Sequence, residues 1–119
     1  MKIGTLINEL EGKTIKLGPH VFSIRLSHQP LVTNGINAAA WFYPGGEEFA
    51  IDVEYAMNRS TTHLVESLYH ELVHASIWAM RLKIEGVEEE ELVECLGRAG
   101  IGIFVDNPWI LPWMMKGLK

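Results

Sequence analysis

The chain has 119 residues, enough for one hydrophobic core and too few for two independent ones. Apolar residues make up 48% and charged residues 21%, which excludes a disordered or low-complexity chain. Ten Lys plus Arg against fifteen Asp plus Glu leave a net charge of −5, and the cations stand singly, so nucleic acid is not an expected partner.

The first residues reach acids at Glu9 and Glu11 without an apolar run, so no secretory signal is expected. No apolar stretch approaches the roughly 20 residues a spanning helix needs, and no membrane association is expected. A lone cysteine, Cys95, cannot close an internal disulfide. The expected setting is a reducing cytoplasm, with residues 1–119 as one domain.

Residues 5–10 predict a short helix with Leu6, Ile7 and Leu10 on one side. Ile15 and Leu17 alternate with polar neighbours up to the Gly18-Pro19 break, and residues 21–26 alternate again with Phe22, Ile24 and Leu26 on one face. A period of two predicts strands. Residues 28–37 carry Pro30, Asn34 and Gly35 and predict a loop. Residues 38–43 and 49–55 flank Pro44-Gly45-Gly46-Glu47, a sequence suited to a tight turn because glycine tolerates positive φ. They predict a hairpin, its second strand placing Phe49, Ile51, Val53 and Tyr55 on one face and Asp52 and Glu54 on the other.

From Ser60 the period becomes 3.6. Ser60, Thr61 and Thr62 offer N-cap oxygens, and Leu64, Val65, Leu68, Leu72, Ala75 and Ala79 form one stripe on a helix expected to end before Gly86. Four acids, residues 88–91, suit the start of a second helix, where the backbone dipole favours negative charge. Leu92, Leu96, Ala99 and Ile103 continue it, and Asp106-Asn107-Pro108 stops it. The apolar tail, residues 109–115 from Trp109 to Met115, has two readings: a last turn packed on the core, or a surface for self-association. The expected fold class is α+β, with a small antiparallel sheet of three to four strands against two helices.

One motif carries chemistry. His70-Glu71-Leu72-Val73-His74 is an HExxH sequence inside the first long helix. Histidines four apart lie one turn apart on one face, and each neutral imidazole can offer a nitrogen to the same zinc ion. Glu71 lies about 100° round the helix from His70, so it can take a proton from a water without displacing it. A shuffled chain of this composition contains HExxH about one time in fifty, so the motif gains its weight from context. It sits mid-helix opposite an aliphatic stripe, with His63 and Ser67 on its own side.

A catalytic zinc needs a third protein ligand. No histidine follows His74, and the remaining donors are Glu85, Glu88 to Glu91, Glu94 and Asp106. Glu94 is favoured, because Gly97 one turn on lets the second helix approach the first; Glu91 comes next. Cys95 reads as a packing residue, and His20 and His28 as structural or surface residues.

HELVHA followed by Glu94-x-x-Gly97 on the next helix resembles the gluzincin branch of zincin metallopeptidases. Over residues 51–108 the chain is similar to small phage- and prophage-encoded ImmA/IrrE-like and SprT-like peptidases and to minimal one-domain gluzincins. The resemblance implies a zincin-like fold, with Zn2+ held by His70, His74 and Glu94 and Glu71 as general base and acid. It also implies a peptide or protein substrate, laid along an edge strand that residues 49–55 resemble. If the gene is a phage's, the cytoplasm is the host's. Gluzincins often carry Asp or Asn four residues after the ligand Glu, to orient a metal histidine; here that residue is Arg98, so a backbone carbonyl or Asp52 is expected to serve. The donor for the oxyanion comes from His63, Tyr43, Tyr55, Arg98 or Arg81. A reading from another class is a non-catalytic, zinc-stabilised phage module that binds a host protein.

Overall fold

The computed structural model describes residues 1–81, 86 and 88–119; the candidate donor Glu85 lies outside the described residues. Helix α1 (Ile3–Asn8) leads into strands β1 (Thr14–Leu17) and β2 (His20–Ser27). A short ribbon follows, β3 (Val32–Thr33) with β4 (Ile36–Asn37), then the hairpin β5 (Ala40–Tyr43) and β6 (Glu48–Asp52). Helices α2 (Val53–Met57), α3 (Thr61–Ala79), α4 (Glu89–Asp106) and α5 (Ile110–Leu118) complete the α+β fold. Among the described residues no helix is long and apolar enough to cross a membrane.

The four-stranded sheet has the order β1-β2-β6-β5 and is mixed, not antiparallel as expected. β1 runs antiparallel to β2 and β5 antiparallel to β6, but β2 and β6 are parallel, with Ile24 opposite Phe49 and Leu26 opposite Ile51. The reason lies in β6 itself. Phe49, Ala50 and Ile51 are all fully buried, so the strand needs cover on both faces and takes an interior slot. β5, whose Trp41, Phe42 and Tyr43 are half-buried, is left at the edge.

Three local expectations are corrected. The second hairpin strand ends at Asp52, not Tyr55, because Asp52 is buried and caps α2: Oδ1 accepts from the Tyr55 N–H at 3.0 Å and Oδ2 from the Leu31 N–H at 3.0 Å. Both oxygens are thereby used, and Asp52 is not an acceptor for a histidine. In the hairpin turn the left-handed residue is Glu47 (φ 52°), not a glycine. The loop of residues 28–37 contains the β3–β4 ribbon.

Helix α3 starts where Ser60 Oγ accepts from the His63 N–H at 3.0 Å. It buries Leu64, Val65, Leu68, Leu72, Ala75 and Ser76, nearly the predicted stripe, into a core cluster shared with Phe22, Phe49, Ile15 and Leu6. It ends at Ala79, followed by left-handed Arg81 (φ 54°). The tail packs on this core: Ile110 and Trp113 are buried, and the Trp113 indole donates to the Leu6 carbonyl at 2.9 Å. Leu111 and Met115 face outward. Gly117 lies against Val65 and Leu6, where a methyl group has no room.

Helix α4 is fastened at one end. Ile103 is its single buried residue. Past its last turn, buried Asn107 accepts from the Lys16 N–H at 2.6 Å and donates to the Lys16 and Ile103 carbonyls at 2.8 and 2.9 Å. Asn107→Ala leaves those backbone groups unpaired, which costs about 2 kcal/mol; the melting temperature is expected to fall by roughly 5–10 °C in a thermal melt.

Candidate functional site

The site forms because α3 is buried on one side only. Its aliphatic stripe faces the core, so residues 63, 67, 70, 71 and 74 are turned toward a cleft beside the sheet edge. This cleft, about 520 Å³, lies between α3, β5 and the β3–β4 ribbon, and its walls include Ala40, Trp41, His63, His70, Glu71 and His74.

His70 and His74 point the same way. Their Nε2 atoms are 3.1 Å apart and their ring centroids 4.7 Å, with the rings inclined at 71°. Two nitrogens each about 2.0–2.1 Å from a tetrahedral ion would stand about 3.3 Å apart, so the pair has the bite of two zinc ligands. Both rings are exposed, so the shared position is open to solution.

Glu71 is turned to the sheet. Its Oε2 accepts the Phe42 N–H of β5 at 2.9 Å, spanning from helix to edge strand. In an antiparallel ladder, alternate residues turn their backbone groups away from the partner strand. Asp52 donates to the Ala39 carbonyl at 2.9 Å, so residue 39 faces β6 and Ala40 and Phe42 face the open edge. Glu71 therefore takes the outward N–H at Phe42; Ala40 is buried, whereas Phe42 is half-buried. The edge beside the motif is thus β5, and the strand of residues 49–55 is not an edge.

Glu94 stands apart. Its carboxylate is 2.6 Å from Arg98 Nη2, one turn on along α4, and both side chains are largely exposed. Among the described residues no three His, Cys, Asp or Glu side chains converge as a group able to hold a metal ion. The structure brings together His70, Glu71 and His74 but not Glu94. Glu91 is exposed in the first turn of α4. Arg98 and Asp106 line a separate cleft of about 380 Å³ between α3, α4 and the β1–β2 turn.

No protein-family model, curated protein or solved structure matches the chain. The chemistry of the site therefore rests on its own geometry.

Of the oxyanion candidates, His63 lines the cleft with the His pair, and its Nδ1 finds no hydrogen-bond partner among the described residues. Arg81 lines a neighbouring cavity that His74 also touches. Tyr55 is engaged with the Arg59 guanidinium, 4.4 Å above its ring. Two residues enter that the sequence reading left aside. Trp41 stands in the wall of the main cleft, and its indole N–H is buried with no partner among the described residues. The Phe42 amide contributes through its backbone, which no side-chain motif can signal. Trp41 was accessible to sequence reasoning only through knowledge of which strand is the edge.

The Phe42–Glu71 bond gives a direct test. Glu71→Gln keeps an oxygen for the Phe42 N–H, so its melting temperature is expected to stay within about 2 °C of the parent. Glu71→Leu leaves that N–H unpaired and costs about 1 kcal/mol, lowering the melting point by roughly 3–6 °C.

Proposed function

We propose that the chain is a zinc-dependent peptidase of the gluzincin kind, acting on an extended stretch of peptide or protein. The observation that carries this reading is the 3.1 Å approach of the two Nε2 atoms in a cleft walled by the edge strand β5, whose Phe42 amide holds the neighbouring Glu71. His70 and His74 would hold zinc, with Glu94 as the third ligand by resemblance. The Glu94–Arg98 pair is exposed and worth only about 0.3–0.5 kcal/mol, so exchanging it for a cation costs little. A zinc ion so held supplies Lewis acidity toward a substrate carbonyl and a water.

The protein's own part is positional and protonic. An extended peptide lies in the cleft beside β5, where the Phe42 C=O can accept from its backbone, which sets its carbonyl over the His pair. Glu71, steadied through Oε2 by the Phe42 amide, takes a proton from the attacking water on Oε1. Water oxygen bonds to the carbonyl carbon; Glu71 then hands the proton to the amide nitrogen as the C–N bond breaks.

The expected result is one zinc per chain by elemental analysis, lost in His70→Ala and His74→Ala. Glu71→Gln should keep the zinc and lose at least about a hundredfold in kcat/KM. Hydrolysis undiminished in zinc-loaded Glu71→Gln would sink the mechanism and leave a zinc-stabilised binding module as the function. Glu94→Gln should weaken zinc binding by at least about tenfold and Glu91→Gln should not, as read by competition with a chromogenic chelator. The reverse order would move the third ligand to Glu91.

A further inference from the structure

The His pair is continued along α3 by an aromatic residue. His70, His74 and Trp78 stand at four-residue steps, so the indole follows the imidazoles on one face of the helix. Trp78 is 40% exposed, although aromatic rings hold it from behind. Its ring centroid lies 4.8 Å from His20, 5.8 Å from Phe42 and 5.9 Å from Phe22, the last two meeting it edge-on. Phe22 is fully buried, so the cluster is rooted in the core. An indole braced on several sides and open on another loses little freedom when a ligand covers it.

Beside this ring lies a cavity of about 600 Å³, lined by His20, His74, Ile77, Trp78 and Arg81. His74 is common to it and to the main cleft. A peptide whose carbonyl lies over the His pair therefore delivers a neighbouring side chain to Trp78. Its walls are an indole and an isoleucine side chain together with His20, His74 and Arg81. Such a surface suits a flat, electron-rich side chain, which can pack on the indole and meet a cation with its π-face.

We infer that the Trp78 cavity is a specificity pocket that seats an aromatic side chain of the substrate on one side of the bond to be cut. The inference rests on the peptidase reading above and adds a substrate class to it. Trp78 makes the platform; His20 and Phe42 keep its ring upright.

The test uses zinc-loaded full-length protein and a set of peptides with Phe, Leu or Ala at each position flanking the cleavage point. The Phe peptide is expected to exceed the Ala peptide by at least about tenfold in kcat/KM on one side of the bond. Trp78→Ala is expected to shrink that ratio to within about threefold, and Trp78→Phe to retain most of it. Binding is read separately by calorimetry on zinc-loaded Glu71→Gln, where the Phe peptide should again bind about tenfold tighter than the Ala peptide, and lose that advantage when Trp78→Ala is added. Cleavage with no aromatic preference, or a preference that survives Trp78→Ala, overturns the pocket and leaves the peptidase reading standing. Trp78-dependent binding with no cleavage of any peptide overturns the peptidase reading and the pocket's place beside a scissile bond, and leaves Trp78 as an aromatic-binding site. Equal binding of the Phe and Ala peptides overturns the pocket whatever the cleavage result.

Discussion

Parallel pairing of β2 with β6 obliges the chain to travel from Ser27 to Glu48 before it can run beside itself in the same direction. The sheet side of the cleft beside the His pair is built from that detour. It carries the β3–β4 ribbon, which becomes one rim of the cleft, and β5, which becomes the outermost strand next to α3. A simple meander would have set β5 against β2 and closed its edge. The burial of Phe49, Ala50 and Ile51 on both faces selects the other arrangement. A core demand thus leaves a strand edge open beside two histidines.

The helix and the edge are joined through few atoms. Aliphatic burial fixes the roll of α3 about its axis, and with it the direction in which His70 and His74 project. The Glu71 carboxylate then links that helix to the Phe42 amide. That bond fixes the direction of the carboxylate, which on the peptidase reading proposed above preorganises the general base. It also occupies the outward donor at Phe42, and Ala40, the other outward-facing residue of the strand, is buried.

Much of this was legible in the sequence, for identifiable reasons. The stripe Leu64 to Ala75 and the cap at Ser60 are local signals, and α3 follows them closely. The strands β1 and β2 alternate as their residues do, with Ile15, Leu17, Phe22 and Ile24 inward. Strand order is a different kind of fact. Nothing within residues 49–55 announces a parallel partner twenty-five residues earlier, and the alternation there disguised a strand buried on both faces. Asp52 misled for a related reason: it is expected from the sequence as one possible acceptor for a metal histidine, yet it is buried and both its oxygens are taken by amides. The HExxH geometry was legible because helical spacing alone sets it. The place of Glu94 was not, since it depends on how one helix sits against another. Trp78 could have been found, because it continues the four-residue spacing of the histidines.

The single fastening of α4 has a mechanical consequence. From Glu94 to Asp106 is twelve helical steps, an arm of about 18 Å. With Asn107 as the fulcrum, a swing of only about 10° carries the Glu94 carboxylate through about 3 Å. The knot that Asn107 ties to Lys16, with Ile103 and Phe104 packed on the core beside it, thus forms the base from which the Glu94 end of the helix projects.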